Sequence, residues 1–184
     1  MVNKIVLEGL NKDFSKNIIE LVQNCLKKDV VLCLWETIRD PVKQGAYWGQ
    51  SRSLFEIKQK IEELRDQGAH FLADCIPPGS DNINAEITDA IPGYSWHQWG
   101  EAVDMVWVVN NKVCWDTELI VNGINGYQVY AEEAVRLGLE SGFYWDIIKD
   151  ACHIQMRKES SPSFLYSLKE IDQIMLNRFH RLLK

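Results

Sequence analysis

Residues 95–104, SWHQWGEAVD, constrain the fold of this chain more than any other feature. They place the imidazole of His97 and the carboxylate of Asp104 seven residues apart around a glycine, and His153 follows later in the sequence Asp-Ala-Cys-His. Two imidazoles and one carboxylate are three candidate ligands for a single zinc ion. Zinc in a catalytic site takes three protein nitrogen or oxygen ligands and leaves the fourth position for water. The chain must therefore fold so that His153 meets the other two side chains.

The residues around these ligands predict two strands. Residues 102–109 are rich in β-branched and aromatic side chains, and an Asn-Asn pair separates them from residues 112–115, which predicts a hairpin with Asp104 on its first strand. Residues 147–156 are predicted to form a last strand that carries Asp150 and His153. Pairing of these strands would hold the ligands on rigid elements, with His97 on a strand or on the loop that enters one. Gly100 allows the tight turn that this convergence requires.

The rest of the chain predicts helices around a small sheet. Apolar residues at helical spacing predict helices over residues 14–26, 53–67 and 127–137. Asn11 or Asp13 can cap the first helix, and a capping box from Ser53 to Glu56 begins the second, which ends at Gly68. The apolar run over residues 30–35 predicts a buried strand, and residues 77–82 and 90–93 are predicted loops. Helices segregated from an antiparallel sheet indicate the α+β class.

Composition limits the partners that the chain can have. The 184 residues carry a net charge of −6 and an isoelectric point near 5.3, which argues against a nucleic-acid partner, because phosphate binding needs clustered Lys and Arg. Five cysteines without a CxxC pair predict small buried hydrophobes rather than a disulfide framework or a cysteine zinc knuckle. The first residues contain no apolar run of signal-peptide length, so we expect synthesis in the cytosol.

The composition changes after Pro162. We expect a catalytic domain over residues 1–158 and an appended amphipathic helix within residues 159–184. The helix has an apolar stripe flanked by basic residues, namely Leu168, Ile171, Met175, Phe179 and Leu182 beside Lys169, Arg178, Arg181 and Lys184. Two interpretations stay open: the stripe packs on the domain, or the helix is a tail that contacts an anionic membrane or wall surface.

The combined motifs resemble a known family. Spacing of the type HxxGxAxD is moderately specific and DxxH is weak, but together they are similar to the zinc peptidases that include D-alanyl-D-alanine carboxypeptidases and L-alanyl-D-glutamate endopeptidases, whose signature is SxHxxGxAxD followed by DxxH or ExxH. The resemblance runs from the first helix to Arg157. It includes Arg39 and Gln44 with residues 47–53, residues 87–88 with 92–93, and residues 131–139. Cys152 departs from the family, which often has proline there, and residues 53–67 resemble an expansion.

The resemblance implies roles for individual residues. His97, Asp104 and His153 would bind one zinc ion, and Asp150 would act as general base and later as proton donor. The alternative for Asp150 is a carboxylate that orients a histidine. Arg39 would stabilise the oxyanion of the tetrahedral intermediate, unless it forms a surface ion pair with Asp40 or Glu36.

Further residues have weaker support. Arg52 is the second choice for the arginine at the site, and Gln44 matches the upstream block of the family. Ser95 could orient the loop or a ligand by hydrogen bonding. Trp96 and Trp99 flank His97 and could line a substrate groove. We expect the Cys152 side chain to point away from the metal, because neighbouring residues on a strand face opposite sides.

These expectations combine into one function with two rivals. We expect a monomeric α+β zinc metallopeptidase that hydrolyses the peptide stems of peptidoglycan as an L-alanyl-D-glutamate endopeptidase. It would be a phage lysin or a prophage or intracellular enzyme that acts on the wall after release. A D-alanyl-D-alanine carboxypeptidase or dipeptidase with the same metal centre is the first rival. A zinc-containing binding module without turnover is the second, against which Asp150 and Arg39 weigh.

Overall fold

The computed structural model describes residues 7–79, 88–147 and 149–180. The chain divides into two compact units. Unit 1 comprises the described residues of Met1–Ile38 and Trp99–Lys158, and unit 2 those of Arg39–Gln98 and Glu159–Lys184. The described helices are α1 (Lys12–Leu26), α2 (Pro41–Gly49), α3 (Leu54–Asp66), α4 (His70–Asp74), α5 (Trp96–Trp99), α6 (Gly126–Arg136) and α7 (Leu168–Phe179). The described strands are β1 (Val31–Glu36), β2 (Ala102–Val109), β3 (Lys112–Cys114), β4 (Glu140–Ser141) and β5 (His153–Gln155).

Unit 1 is built on one antiparallel sheet. Its strands follow the order β1-β2-β5-β4, and β3 also pairs with β2. The predicted hairpin joins β2 to β3 through Asn110 and Asn111, which have φ of +50° and +62°. Asparagine tolerates this left-handed conformation, and two such residues give the turn whose twist matches that of the strands. The sequence prediction for this hairpin is confirmed.

Helices α1 and α6 pack against this sheet and form the core of unit 1. Asn11, rather than Asp13, caps α1, because its side chain accepts hydrogen bonds from the backbone amides of Asp13 and Phe14. The core contains fully buried apolar side chains from both helices and from the sheet, including Phe14, Ile18, Leu21, Val103, Met105, Tyr130 and Ile154. Their burial removes apolar surface from water and holds β2 and β5 in a fixed register.

Unit 2 is helical. Asp40 caps α2 with Pro41 at its first position, and the predicted capping box of Ser53 and Glu56 begins α3. Helix α7 packs against α4, where the Asp172 carboxylate accepts a hydrogen bond of 2.9 Å from the Leu72 amide. No helix in the described part of the chain has the length and apolarity that crossing a bilayer requires.

Several predicted elements differ from the observed ones. The last strand is limited to β5, because the His153 amide donates to the Asp150 carbonyl at 3.1 Å in a turn that keeps Asp150 out of the ladder. The prediction of a buried first strand was wrong, because the core covers only one face of β1, and Val31 and Trp35 are exposed on the other. His97 lies on the short helix α5 rather than on a strand or loop.

Other predictions were incomplete or fall outside the described residues. Helices α2 and α4 were not predicted, because Pro41 was interpreted as turn chemistry and the five residues of α4 are too few to show a period. The described part of the C-terminal segment contains the predicted helix as α7, but Arg181, Leu182 and Lys184 lie outside the described residues. So do Ile87 and residues 80–82 of the predicted loop. A catalytic domain with an appended helix stays a prediction.

Candidate metal centre

The centre of the candidate site is the pair Asp104 and His153. Antiparallel pairing of β2 and β5 places these two residues directly opposite each other. Nδ1 of His153 lies 3.1 Å from Oδ1 of Asp104, and their side chains are only 10% and 13% exposed. Side chains directly opposite on neighbouring strands project from the same face of the sheet. The register of the two strands therefore sets the geometry of this pair.

His97 reaches its position on α5. Its side chain is buried, and the neighbouring Trp96 anchors α5 by donating a hydrogen bond of 2.7 Å from Nε1 to the Glu159 carbonyl. Gly100 follows α5 with φ of +73°, a conformation that glycine adopts without steric cost. The prediction that the chain turns tightly at Gly100 is confirmed.

The structure brings the three predicted ligands together. Ligand atoms offered by His97, Asp104 and His153 all lie within 4.8 Å of one another. Two imidazole nitrogens and a carboxylate oxygen are the donor types of a catalytic zinc site with three protein ligands. These residues can therefore hold a metal ion, and their donor set fits zinc.

The surroundings of His153 favour its protonated form when no metal is bound. Burial opposes the charge on the imidazole, but the hydrogen bond and negative charge of Asp104, the charge of Asp150 and the hydrogen bond of Gln155 outweigh burial and raise the pKa of His153. A metal ion must displace a proton from a histidine ligand. Metal binding at this group is therefore expected to weaken as the pH falls.

Asp150 lies in the turn before β5. Its Oδ1 accepts a hydrogen bond of 3.3 Å from the Cys152 amide, and its backbone amide donates to the Gly142 carbonyl at 3.0 Å. A Cβ atom at Gly142 would lie 2.4 Å from the Asp150 carbonyl oxygen, so only glycine allows this close approach. The hydrogen bond to Gly142 and the turn therefore fix where Asp150 lies in space relative to His153, which follows it by three residues.

Arg39 and Gln44 form one hydrogen-bonded unit. Arg39 donates from Nη1 to Oε1 of Gln44 at 3.1 Å, and its guanidinium lies 5.4 Å from the centre of the Tyr47 ring. Gln44 is fully buried and donates from Nε2 to the Ala90 carbonyl at 2.7 Å. The predicted pair Arg39 and Gln44 therefore connects the start of α2 to the segment that leads to α5.

Arg52 holds the segment before α5 rather than projecting into solvent. Its guanidinium stacks 4.5 Å from the centre of the Trp48 ring, pairs with the Asp89 carboxylate at 2.9 Å and donates to the Thr88 carbonyl at 3.3 Å. The side chain is 16% exposed. These contacts give Arg52 a structural function in unit 2.

The remaining predicted residues are Ser95, Trp96 and Trp99, of which Ser95 and Trp99 are partly buried and Trp96 is buried. The Ser95 carbonyl accepts a hydrogen bond of 3.0 Å from the Gln98 amide, and Trp99 is partly buried. Trp96 is 2% exposed and so does not line an open groove. The tryptophans that are exposed are instead Trp35 and Trp115, whose rings meet edge to face at 4.8 Å.

The sequence prediction missed two residues beside His153. The Trp145 ring packs 5.1 Å from the His153 ring, and Oε1 of Gln155 lies 3.2 Å from Nε2 of His153. The spacing of Gln155 is a signal that could have identified it, because residues two apart on a strand share a face. No local pattern identifies Trp145, because it precedes the turn that leads to β5.

Cys152 is not among the possible metal ligands found in the described residues. Its Sγ lies 3.9 Å from the Tyr127 hydroxyl, and burial raises the pKa of the thiol to about 11. Metal coordination uses the thiolate, which is scarce near neutral pH at this pKa. Cys152 lies in a turn, so the argument from strand alternation does not apply to it, but its thiol contacts the core of unit 1.

Comparisons with known proteins identify the family. The model of the family VanY, D-alanyl-D-alanine carboxypeptidase, matches residues 7–159. No curated protein is similar enough to count as a relative. Among solved structures, the crystal structure of the Serratia marcescens L-Ala D-Glu endopeptidase ChiX is 18% identical over 82% of this chain and 83% of that chain, with a TM-score of 0.39. The family match spans most of the chain and includes every residue of the candidate site. The chain therefore belongs to the VanY family of D-alanyl-D-alanine carboxypeptidases and is a peptidoglycan peptidase.

Proposed function

We propose that this chain is a zinc metallopeptidase that hydrolyses amide bonds in the stem peptides of peptidoglycan. The observation that carries the proposal is the group of His97, Asp104 and His153, whose possible ligand atoms lie within 4.8 Å of one another. Zinc bound there would supply a Lewis acid that polarises a carbonyl and lowers the pKa of water to roughly 7. Two imidazoles and a single carboxylate leave zinc the open position that this chemistry needs.

Asp150 is the proposed general base. Its carboxylate takes the proton of the attacking water and later returns it to the departing amine. The hydrogen bond from the Cys152 amide to Oδ1 orients the carboxylate, and the Asp150 amide is tied to the Gly142 carbonyl by a hydrogen bond of 3.0 Å. Asp150 also contributes negative charge to the surroundings of His153. This placement supports a proton carrier next to the metal-binding group.

Arg39 is the proposed cationic group that stabilises the oxyanion. Gln44 fixes the Arg39 guanidinium through a hydrogen bond of 3.1 Å, and the buried Gln44 amide is itself tied to the Ala90 carbonyl. A preorganised donor stabilises developing negative charge without a cost of reorganisation during the reaction. The second proposed arginine, Arg52, remains the weaker candidate because its contacts already hold residues 88 and 89.

The scissile bond has two candidates. Our first choice is the bond between L-alanine and D-glutamate, because residues 95–104 and 150–153 resemble the motifs of a family that includes L-alanyl-D-glutamate endopeptidases. The description of the matching family, D-alanyl-D-alanine carboxypeptidase, favours the terminal D-Ala-D-Ala bond as the second. A stem pentapeptide separates them by mass spectrometry. Release of free D-alanine supports the carboxypeptidase, whereas a new D-glutamate amino terminus supports the endopeptidase. Monomeric state and action on the wall after release stay predictions.

The role of Asp150 as the base is tested with a matched pair of variants. Asp150→Asn removes the proposed base without changing its size, and Asp146→Asn removes an exposed carboxylate four residues earlier. We expect Asp150→Asn to retain bound zinc and lose turnover of stem peptides, and Asp146→Asn to behave as wild type. Equal turnover in the two variants would contradict the role of Asp150.

The ligand assignment is tested separately. We expect His97→Ala to lose both zinc and activity, because removing one of three ligands lowers affinity and disturbs geometry together. Zinc is measured by elemental analysis after gel filtration. One full equivalent of tightly bound zinc in His97→Ala would refute the proposed ligand set.

A further inference from the structure

Gln155 is a buried amide beside a proposed metal ligand. It lies two residues after His153 on β5, so the two side chains share one face of the strand. Oε1 of Gln155 lies 3.2 Å from Nε2 of His153, and Gln155 is 2% exposed. A buried amide is stable only if its polar atoms are hydrogen-bonded. The hydrogen-bond partner of the amide atom that points away from His153 therefore decides which amide atom faces the imidazole.

The amide has one orientation consistent with its neighbours. Its Nε2 donates to the backbone carbonyl of Arg157 at 2.6 Å. A carbonyl oxygen only accepts hydrogen bonds, so the NH2 group must face Arg157 and the amide oxygen must face His153. Arg157 is itself fixed, because its Nε and Nη2 donate to the buried Glu101 carboxylate at 2.6 and 3.0 Å. The ion pair thus supports the carbonyl that orients Gln155.

This orientation determines which imidazole nitrogen carries hydrogen. The Gln155 oxygen can only accept, so Nε2 of His153 must be the donor. Nδ1, which lies 3.1 Å from Oδ1 of Asp104, is then the nitrogen that offers a lone pair in the neutral ring. Asp104 by itself would favour the opposite tautomer, with hydrogen on Nδ1. In that tautomer Nδ1 has no lone pair to offer a metal ion. Gln155 opposes that preference.

We propose that Gln155 is a positioning residue that holds His153 as its Nε2–H tautomer and thereby reserves Nδ1 for a metal ion beside Asp104. The proposal rests on the proposed zinc function. Hydrogen-bond partners of the far nitrogen of a ligating histidine fix its ring and raise its basicity, and their loss weakens metal binding. Gln155 would not touch the substrate, so its effect should appear first in metal affinity.

The test compares two substitutions that share one defect. Gln155→Met and Gln155→Glu both lose the hydrogen bond to the Arg157 carbonyl, but only Gln155→Glu still accepts a hydrogen bond from Nε2 of His153. The zinc dissociation constant is measured by chelator competition on metal-free protein whose fold is checked by circular dichroism. We expect Gln155→Met to bind zinc about 10- to 100-fold more weakly, and Gln155→Glu to stay close to wild type.

A second readout follows the imidazole directly. In zinc-loaded protein with labelled histidine, NMR should show a slowly exchanging Nε2 proton on His153 in wild type and in Gln155→Glu, and a rapidly exchanging one in Gln155→Met. Equal losses of zinc affinity in both variants, or none in Gln155→Met, would overturn the role of Gln155. If wild type itself does not bind zinc, the proposed zinc function fails too. If wild type binds zinc but the variants do not differ as expected, only the role of Gln155 fails, so the two cases are distinguishable.

A third variant covers the case in which Gln155→Met does not fold. Glu101→Gln weakens the ion pair that fixes the Arg157 carbonyl and leaves Gln155 and His153 unchanged. Weaker zinc binding in folded Glu101→Gln supports the proposal. Unchanged zinc binding in that variant contradicts it.

Discussion

Gly142→Ala is the sharpest perturbation of the proposed base, because it acts on the position of Asp150 without changing any polar group. The added Cβ would lie 2.4 Å from the Asp150 carbonyl oxygen, whereas ordinary van der Waals contacts begin near 3.4 Å. The obstacle is backbone rather than the end of a flexible side chain, so the turn that carries Asp150 must move by about 1 Å. Overpacking of this kind lowers the free energy of unfolding by about 1–3 kcal/mol.

The same displacement should affect turnover. A misplacement of about 1 Å can reduce a catalysed rate by about 100-fold. We therefore expect Gly142→Ala to bind one zinc ion and to show a kcat/KM for stem peptides about 100-fold below wild type. The free energy of unfolding is measured by urea titration of tryptophan fluorescence, and turnover by chromatography of the cleaved peptides.

Gly138→Ala is the matched control. Gly138 has φ of +75°, and a Cβ there would meet nothing within 4 Å. Alanine at this φ should lower the free energy of unfolding by about 1 kcal/mol through backbone strain alone. We expect Gly138→Ala to keep the turnover of wild type. Full turnover in Gly142→Ala, or equal losses in both variants, would refute the argument that Gly142 positions Asp150.

Three further predictions follow from buried titratable groups. The pKa of His153 is raised in the metal-free fold, so protonated His153 stabilises the fold fully below the unfolded pKa of about 6.5, and this stabilisation is lost as the pH rises through the folded pKa. Urea titrations should show the free energy of unfolding of metal-free protein falling across that pH window. The substitution His153→Gln should flatten this pH dependence. Cys152→Ala should keep one equivalent of zinc, since burial holds the thiol pKa near 11; loss of zinc would make Cys152 a ligand. Glu133→Gln should lower the free energy of unfolding by about 1–3 kcal/mol near neutral pH, because the hydrogen bond from Lys28 holds the pKa of Glu133 low. The difference in stability between variant and wild type should vanish as the pH falls through that lowered pKa. A difference that does not depend on pH would contradict this prediction.

The sequence alone determined the features that depend on near neighbours. The Asn110–Asn111 turn, the capping box at Ser53 and the periodic helices α1 and α6 are all specified within a few residues, so local chemistry was sufficient to predict them. The predicted ligands also needed only their residue types and spacing. Local patterns failed at α4, which is too short to show a period.

Tertiary structure alone decided how the candidate site is assembled. Pairing of β2 with β5 sets Asp104 opposite His153, and the backbone hydrogen bonds of Asp150 to Gly142 and His153 keep Asp150 in a turn rather than on a strand. The direction in which Gln155 faces His153 depends on the Arg157 carbonyl and on Glu101, which lies far away in the sequence. Such relations join residues whose separation exceeds any helical or strand period. Side-chain packing and strand register fix these relations, and neither can be derived from the local pattern of a single sequence.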